Sequence, residues 1–244
     1  LPSAVGYSAM SFNIARMVGP ALGAALVAQV NVSAAWLTAM MMFMVSFWGL
    51  SRLTIERDIP AAPSTSFVDQ LVAGFRHLLG RSDLRLLLAL TALNGLLGRT
   101  IIELLPALSG QVLQGGSAEL AVLVAMAGLG SVLGGLLVSR QAADLARLMV
   151  LVCAAIMLAG LALISLQWFA GLVGLALWVS MLSVVTTVAG TGSQTLIQLT
   201  ASAEYRGRVM SVWTMLAMGA PALGAALLGA GVDGFGFSRV AIWT

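Results

Sequence analysis

The chain predicts an all-α, polytopic helical membrane protein, and three features predict it. Seven long apolar stretches run roughly over 5–28, 34–51, 86–112, 119–139, 148–167, 170–197 and 209–231. A helix that crosses a bilayer needs about 20 mostly apolar residues, and each stretch is long enough. Sixty per cent of the residues are hydrophobic and 9% are charged, which lies outside the range of a soluble globular domain. Nine of the twelve arginines fall in or beside every second connection: Arg52, Arg57, Arg76, Arg81, Arg85, Arg140, Arg147, Arg206 and Arg208. The other connections hold only Arg239, while Arg16 and Arg99 lie inside spans. Basic residues stay on the cytoplasmic side of a membrane, so the arginine-bearing connections are expected there.

Taken in order, the first two spans form a hairpin around the short outer connection Gln29–Ser33. The longest polar segment follows, Arg52–Arg85, with Pro60 and Pro63 in its middle. From Phe67 to Leu79 it regains helical spacing. Phe67, Leu71, Phe75 and Leu78 share one side, which suits a helix lying on the inner membrane surface. Five spans with tight connections come next, and Val240–Thr244 read as the first residues of another. The chain is thus expected to be a fragment. Trp36, near a span end, and Trp168, in an outer connection, suit headgroup depth. Trp48, Trp178 and Trp213 have no such obvious place.

The heptapeptide Pro20–Leu26 recurs letter for letter as Pro221–Leu227. Spans six steps apart run in the same direction, so two parallel six-span halves would give this repeat. The expected division is 1–51 for the last two spans of the first bundle, 52–85 for a linker with its amphipathic helix, and 86–244 for most of the second bundle.

Several chemistries are disfavoured. Cys153 is the single cysteine, so no disulfide forms within the chain. His77 is the single histidine, and no G-x-S-x-G elbow accompanies it. No lysine is present, so a P-loop has nothing to set on its phosphates. Gly128, Gly130 and Gly134 do not have dinucleotide-loop spacing and read as a close-packing helix face. The formal charge of +3 marks the membrane topology and not a nucleic-acid footprint. No cofactor and no metal site is expected, and the methionines Met40–Met42 and Met44 are read as lipid-facing or core filling.

Arg99 and Glu103 are the sharpest chemical pair. They sit four apart inside a span, on one helix face. A charge near the membrane centre costs roughly 2.5–3.5 kcal/mol, so the pair is expected to face a cavity or the bundle interior. Either Glu103 exchanges protons while Arg99 balances charge or binds an anionic group, or the two only neutralise each other. Asn94, on the same helix, either lines that cavity or bonds a neighbouring helix. Arg16, three residues after Asn13 in the first span, is either partnered from another span or close enough to the cytoplasm to snorkel. The stripe Thr186, Thr187, Thr191, Ser193, Gln194, Thr195 and Gln198 suits a water-lined path and interhelical bonding equally well.

Gly6, Gly19, Pro20 and Gly23 lie on a helix whose small residues allow close approach and whose proline bends it. These four match the glycine-proline motif of the fifth span in drug:proton antiporters of the major facilitator superfamily. Ala15 and Ala24 stand where that motif has glycine. The longer string from Ser8 to Gly23 resembles the enterobactin-exporter and macrolide-efflux-like subfamily. Glu204–Ser211 is similar to that subfamily's connection before its eleventh span, and Arg99–Pro106 to its seventh span. On that register the chain covers spans five to eleven and the start of twelve.

The resemblance implies a monomeric secondary transporter of the bacterial inner membrane. It would export a small molecule, a drug or a siderophore, in exchange for protons, by alternating access. Glu103 would couple protons, Arg99, Arg16, Asn94 and Asn13 would serve substrate or charge balance, and Gly6, Gly19, Pro20 and Gly23 would serve the conformational change. The expected partners are the substrate, protons and the lipid bilayer, with no nucleic acid. The competing classes are a membrane-embedded enzyme, which needs a polar catalytic cluster at one membrane face, and a non-transporting scaffold or sensor.

Overall fold

The structure is a computed structural model that describes residues 29–53, 80–113, 116–169, 171–202 and 205–235, with Leu78 and positions 15, 18, 19, 22, 23 and 25–27. Asn13, Arg16, Gly6, Pro20, His77 and the expected surface helix over Phe67–Leu79, apart from Leu78, lie outside the described residues. Every regular element among the described residues is helical. Six helices are long and apolar enough to cross a bilayer: Val32–Ser51, Ser82–Glu103, Ala118–Gln141, Leu145–Trp168, Gly171–Thr200 and Arg206–Ala230. Each coincides with one of the last six apolar stretches.

Local chemistry sets the helix ends. Helix α1 (Val32–Ser51) is capped by Asn31, whose side chain accepts from the Ala34 N–H at 2.8 Å. Helix α2 (Ser82–Asn94) starts beside the Arg81–Asp83 ion pair. It continues through a π turn, Gly95–Arg99, into α3 (Thr100–Glu103) and α4 (Leu105–Val112). The break at Leu104 precedes Pro106, which has no N–H to offer the carbonyl four residues back. Helix α5 (Ser117–Gln141) is opened by Glu119, whose carboxylate accepts from the Gly116 N–H at 2.7 Å. Asp144 caps α6 (Leu145–Ser165) through the N–H groups of Ala146 and Arg147. After a 3₁₀ turn over Leu166–Trp168 the chain re-enters through Gly171, whose φ of +69° suits glycine. Helices α7 (Gly171–Thr200) and α8 (Arg206–Phe235) complete the described chain.

Close approaches give the packing order. Glycines 130 and 134 of α5 lie against the carbonyls of Ser180 and Val184 on α7, so both numbers rise together and these helices are parallel. Gly192 of α7 meets Val152 and Leu148 of α6, an antiparallel neighbour. Asn94 and Gly98 approach Gly190 and Thr186 in antiparallel order. Gly95 lies beside Pro221 and Thr100 beside Gly224, so α2 and α8 are parallel. This arrangement places Arg81, Arg85, Arg140, Arg147, Arg206 and Arg208 at one end of the bundle, as expected for residues on one membrane side.

Helix α7 is the axis: 56% of its most apolar window is buried. Trp178 is fully buried there and donates its indole N–H to the Ala162 carbonyl at 2.7 Å. That carbonyl is one of the last four of α6, which have no helical partner of their own. Trp178 and Trp213 are therefore core residues, while Trp36 and Trp168 are exposed. Helix α1 buries none of its residues among the described ones. Met40, Met41, Met42 and Met44 lie on its apolar surface.

Candidate functional site

The candidate site is built on the bent helix that runs from Ser82 to Val112. A π turn closes each ring with a bond five residues back, and here the Thr100 N–H reaches the Gly95 carbonyl. Such single wide turns bend a helix and recur at functional positions. The glycines at its start and within it allow the bend to nest against its neighbours. A Cβ on Gly95 would stand 2.7 Å from the Ala220 Cβ and 3.1 Å from Cδ of Pro221. A Cβ on Gly98 would overlap the Thr186 methyl group, and one on Gly224 would overlap the Thr100 hydroxyl. Pro221 in turn removes one backbone hydrogen bond from α8 at this level, since it lacks the N–H that Ala217 would receive, though α8 runs on through it. The π turn and the proline thus meet at the same depth.

On the inner face of the bend the polar groups bond to backbone. Thr100 Oγ1 lies 2.9 Å from the Gly95 carbonyl and 3.3 Å from that of Pro221, a hydroxyl shared between its own turn and α8. Asn94 Nδ2 donates to the Thr186 carbonyl of α7 at 3.2 Å. Asn94 is buried, and its Oδ1 has no hydrogen-bond partner among the described residues. Of the two places open to Asn94, it occupies the interhelical one.

On the outer face, Arg99 Nε donates to Glu103 Oε1 at 3.2 Å, and the two side chains remain 40% and 53% exposed. Neither has a second charged partner among the described residues. Measured along the helix at about 1.5 Å per residue, Arg99 stands about 26 Å from Ser82, one turn before Glu103, the last residue of the 22-residue apolar span. The pair is open on one side and shares no hydrogen bond with the buried contacts behind it.

The polar stripe of the sixth apolar stretch lies mainly in packing. Thr187 donates to Ser131 at 3.3 Å, Ser183 donates to the Ala127 carbonyl at 2.7 Å, and Thr195 bonds back to the Thr191 carbonyl. Thr186, Thr191, Ser193 and Gln194 are buried. Sequence reasoning overlooked Thr100, Gly98 and Ser183. The repeat around Pro221 was a signal for α8; Thr100 and Gly98 carried none. Among the described residues, Gly19 and Gly23 have nothing within 4 Å of the place a Cβ would take. No cluster of three or more His, Cys, Asp or Glu that could hold a metal occurs among the described residues.

One comparison with known proteins is positive. The family model described as transmembrane secretion effector matches residues 1–239. Neither a curated relative nor a solved structure matches the chain.

Proposed function

Since the chain belongs to the transmembrane secretion effector family of the major facilitator superfamily, we propose that this multi-pass membrane transporter exports a small molecule across the bacterial inner membrane in exchange for protons. The direction, the coupling ion and the enterobactin-exporter or macrolide-efflux-like branch follow from the resemblance described above. The observation that carries the coupling is the open Arg99–Glu103 pair. Charges at this depth are costly against lipid and are kept where they face a polar path. Glu103 takes and returns the proton, and Arg99 balances the carboxylate charge or binds an anionic substrate group.

Alternating access needs two bundles that rock about a midplane site. In this reading residues 1–51 end the first bundle, 52–85 link the two, and 86–244 form most of the second. Arg16 and Asn13 contribute from the first bundle. Gly6, Gly19, Pro20 and Gly23 form a flat, bent face that slides as the bundles move. Siderophore, macrolide and hydrophobic drug are the substrate classes.

The test is efflux of a dye or siderophore from cells carrying the complete gene, with and without Glu103→Gln. The expected result is proton-driven efflux by the intact protein and its loss in the variant. Efflux unchanged by the substitution would remove Glu103 from coupling and leave export standing. No efflux by the intact protein would remove export.

A further inference from the structure

Where α5 gives way to α6, Gln141, Ala146, Arg147, Val150, Leu151 and Ala154 line an open groove of about 470 Å³. Aliphatic side chains make its floor, and the polar groups stand at one end. Val150 is 69% exposed there, on a helix of the kind that lies against lipid. From Ala146 to Ala154 the groove follows about 12 Å of helix.

The polar end is built for an anion. Asp144 Oδ2 stands 3.1 Å from Arg147 Nε in an ion pair, while its Oδ1 accepts from the backbone N–H groups of Ala146 and Arg147. The carboxylate is therefore committed to capping α6, and it fixes the guanidinium by one edge only. The two terminal nitrogens of Arg147 have no partner among the described residues, and a planar fork of this kind suits a phosphate. Arg140, exposed at the end of α5, adds a second cation with no ion pair among the described residues. Arg147 thus pairs with a carboxylate that is already engaged, and Arg140 stands next to Gln141, a lining residue of the groove. Basic rims over apolar clefts between membrane helices recognise anionic lipid headgroups.

We propose that this groove is a binding site for one anionic phospholipid, with its phosphate on Arg147 and Arg140 and an acyl chain along Val150 and Ala154. The assignment rests on the membrane placement of the chain and is independent of what the protein transports. Charge complementarity selects an anionic lipid over a zwitterionic one.

The test is native mass spectrometry of the full chain extracted from vesicles of equal phosphatidylglycerol and phosphatidylcholine with identical acyl chains. Bound lipid should be enriched in phosphatidylglycerol by about five-fold. The enrichment should vanish in the double variant Arg140→Gln, Arg147→Gln. Total bound lipid should fall in Val150→Trp, which fills the groove and keeps every charge. Equal retention of the two lipids, or an enrichment that both variants leave intact, would overturn the proposal. So would a change of oligomer size in Val150→Trp, which would give the groove to a second copy of the chain. Displacement of the lipid by millimolar inorganic phosphate, irrespective of chain length, would give the arginines to a free anion and overturn it as well.

Discussion

Within three turns of one helix, polar residues are treated in opposite ways. Asn94 and Thr100 are buried and bond to carbonyls of α7, of their own turn and of α8. Arg99 and Glu103 bond to each other and leave about half of their side-chain surface open. The buried pair is uncharged, reaches backbone acceptors, and sits where glycine lets two helices touch. The open pair is charged and has no tie to another helix among the described residues. Residues bonded across helices and a charged pair bonded only to itself thus share one short stretch of helix. The contrast separates architecture from chemistry more clearly than depth in the membrane does, because both pairs lie at nearly the same depth.

Enlarging the small side of the contact gives the largest expected effect. Gly224→Leu would drive a side chain into the Thr100 hydroxyl and the Leu96 carbonyl. Overpacking of this kind costs about 1–3 kcal/mol, and a clash with backbone belongs at the upper end. Thermal unfolding of the purified chain in detergent should fall accordingly, and Gly98→Leu should behave alike. By contrast Gly23→Leu, at the matching position of the repeated heptapeptide, has open space around it among the described residues. It should leave the unfolding of the described five-helix bundle unchanged. Equal losses at Gly224 and Gly23 would erase the distinction between the two copies.

Asn94→Ala is next. It removes the bond to Thr186, and interhelical side-chain hydrogen bonds in membranes average about 0.6 kcal/mol. Thr100→Val keeps the shape and removes the shared hydroxyl, for a similar loss. Both should appear as small, additive drops in melting temperature when combined with a distant variant such as Val150→Trp. The smallest effect on folding is expected at the open pair. An exposed i,i+4 ion pair contributes about 0.3–0.5 kcal/mol, so Arg99→Gln and Glu103→Gln should unfold close to the unaltered chain.

The spans could be read from the sequence because hydrocarbon demands long uninterrupted apolar windows, and the arginine pattern ordered them. The bundle end that gathers Arg81, Arg140, Arg147 and Arg206 is the packed form of that pattern. The close-packing face at Gly130 and Gly134 was also legible, since small residues four apart have few other uses on an apolar helix. Legibility failed where one residue's role depends on a partner far along the chain. Nothing near Thr100 announces that Pro221, 121 positions later, will share its hydroxyl. Trp178 and Trp213 had no clear place in the sequence, and both are buried; the indole N–H of Trp178 reaches a helix-end carbonyl far back along the chain. The threonine and serine stripe of α7 was ambiguous because a polar residue on an apolar helix serves water or a neighbour equally well, and only packing decides. The π turn could not be read at all: Gly95–Arg99 has no feature that separates a wide turn from a regular one.

The most direct measurement sets transport against folding for Glu103→Gln in the complete protein. Proton-driven efflux and the melting temperature are recorded on the same preparation, in membranes and then in detergent. Efflux should fall by an order of magnitude or more while melting shifts by no more than the exposed-pair value of about 0.5 kcal/mol allows. A variant that keeps its efflux, or one that loses efflux only because it no longer folds, would contradict the assignment of the open pair to coupling.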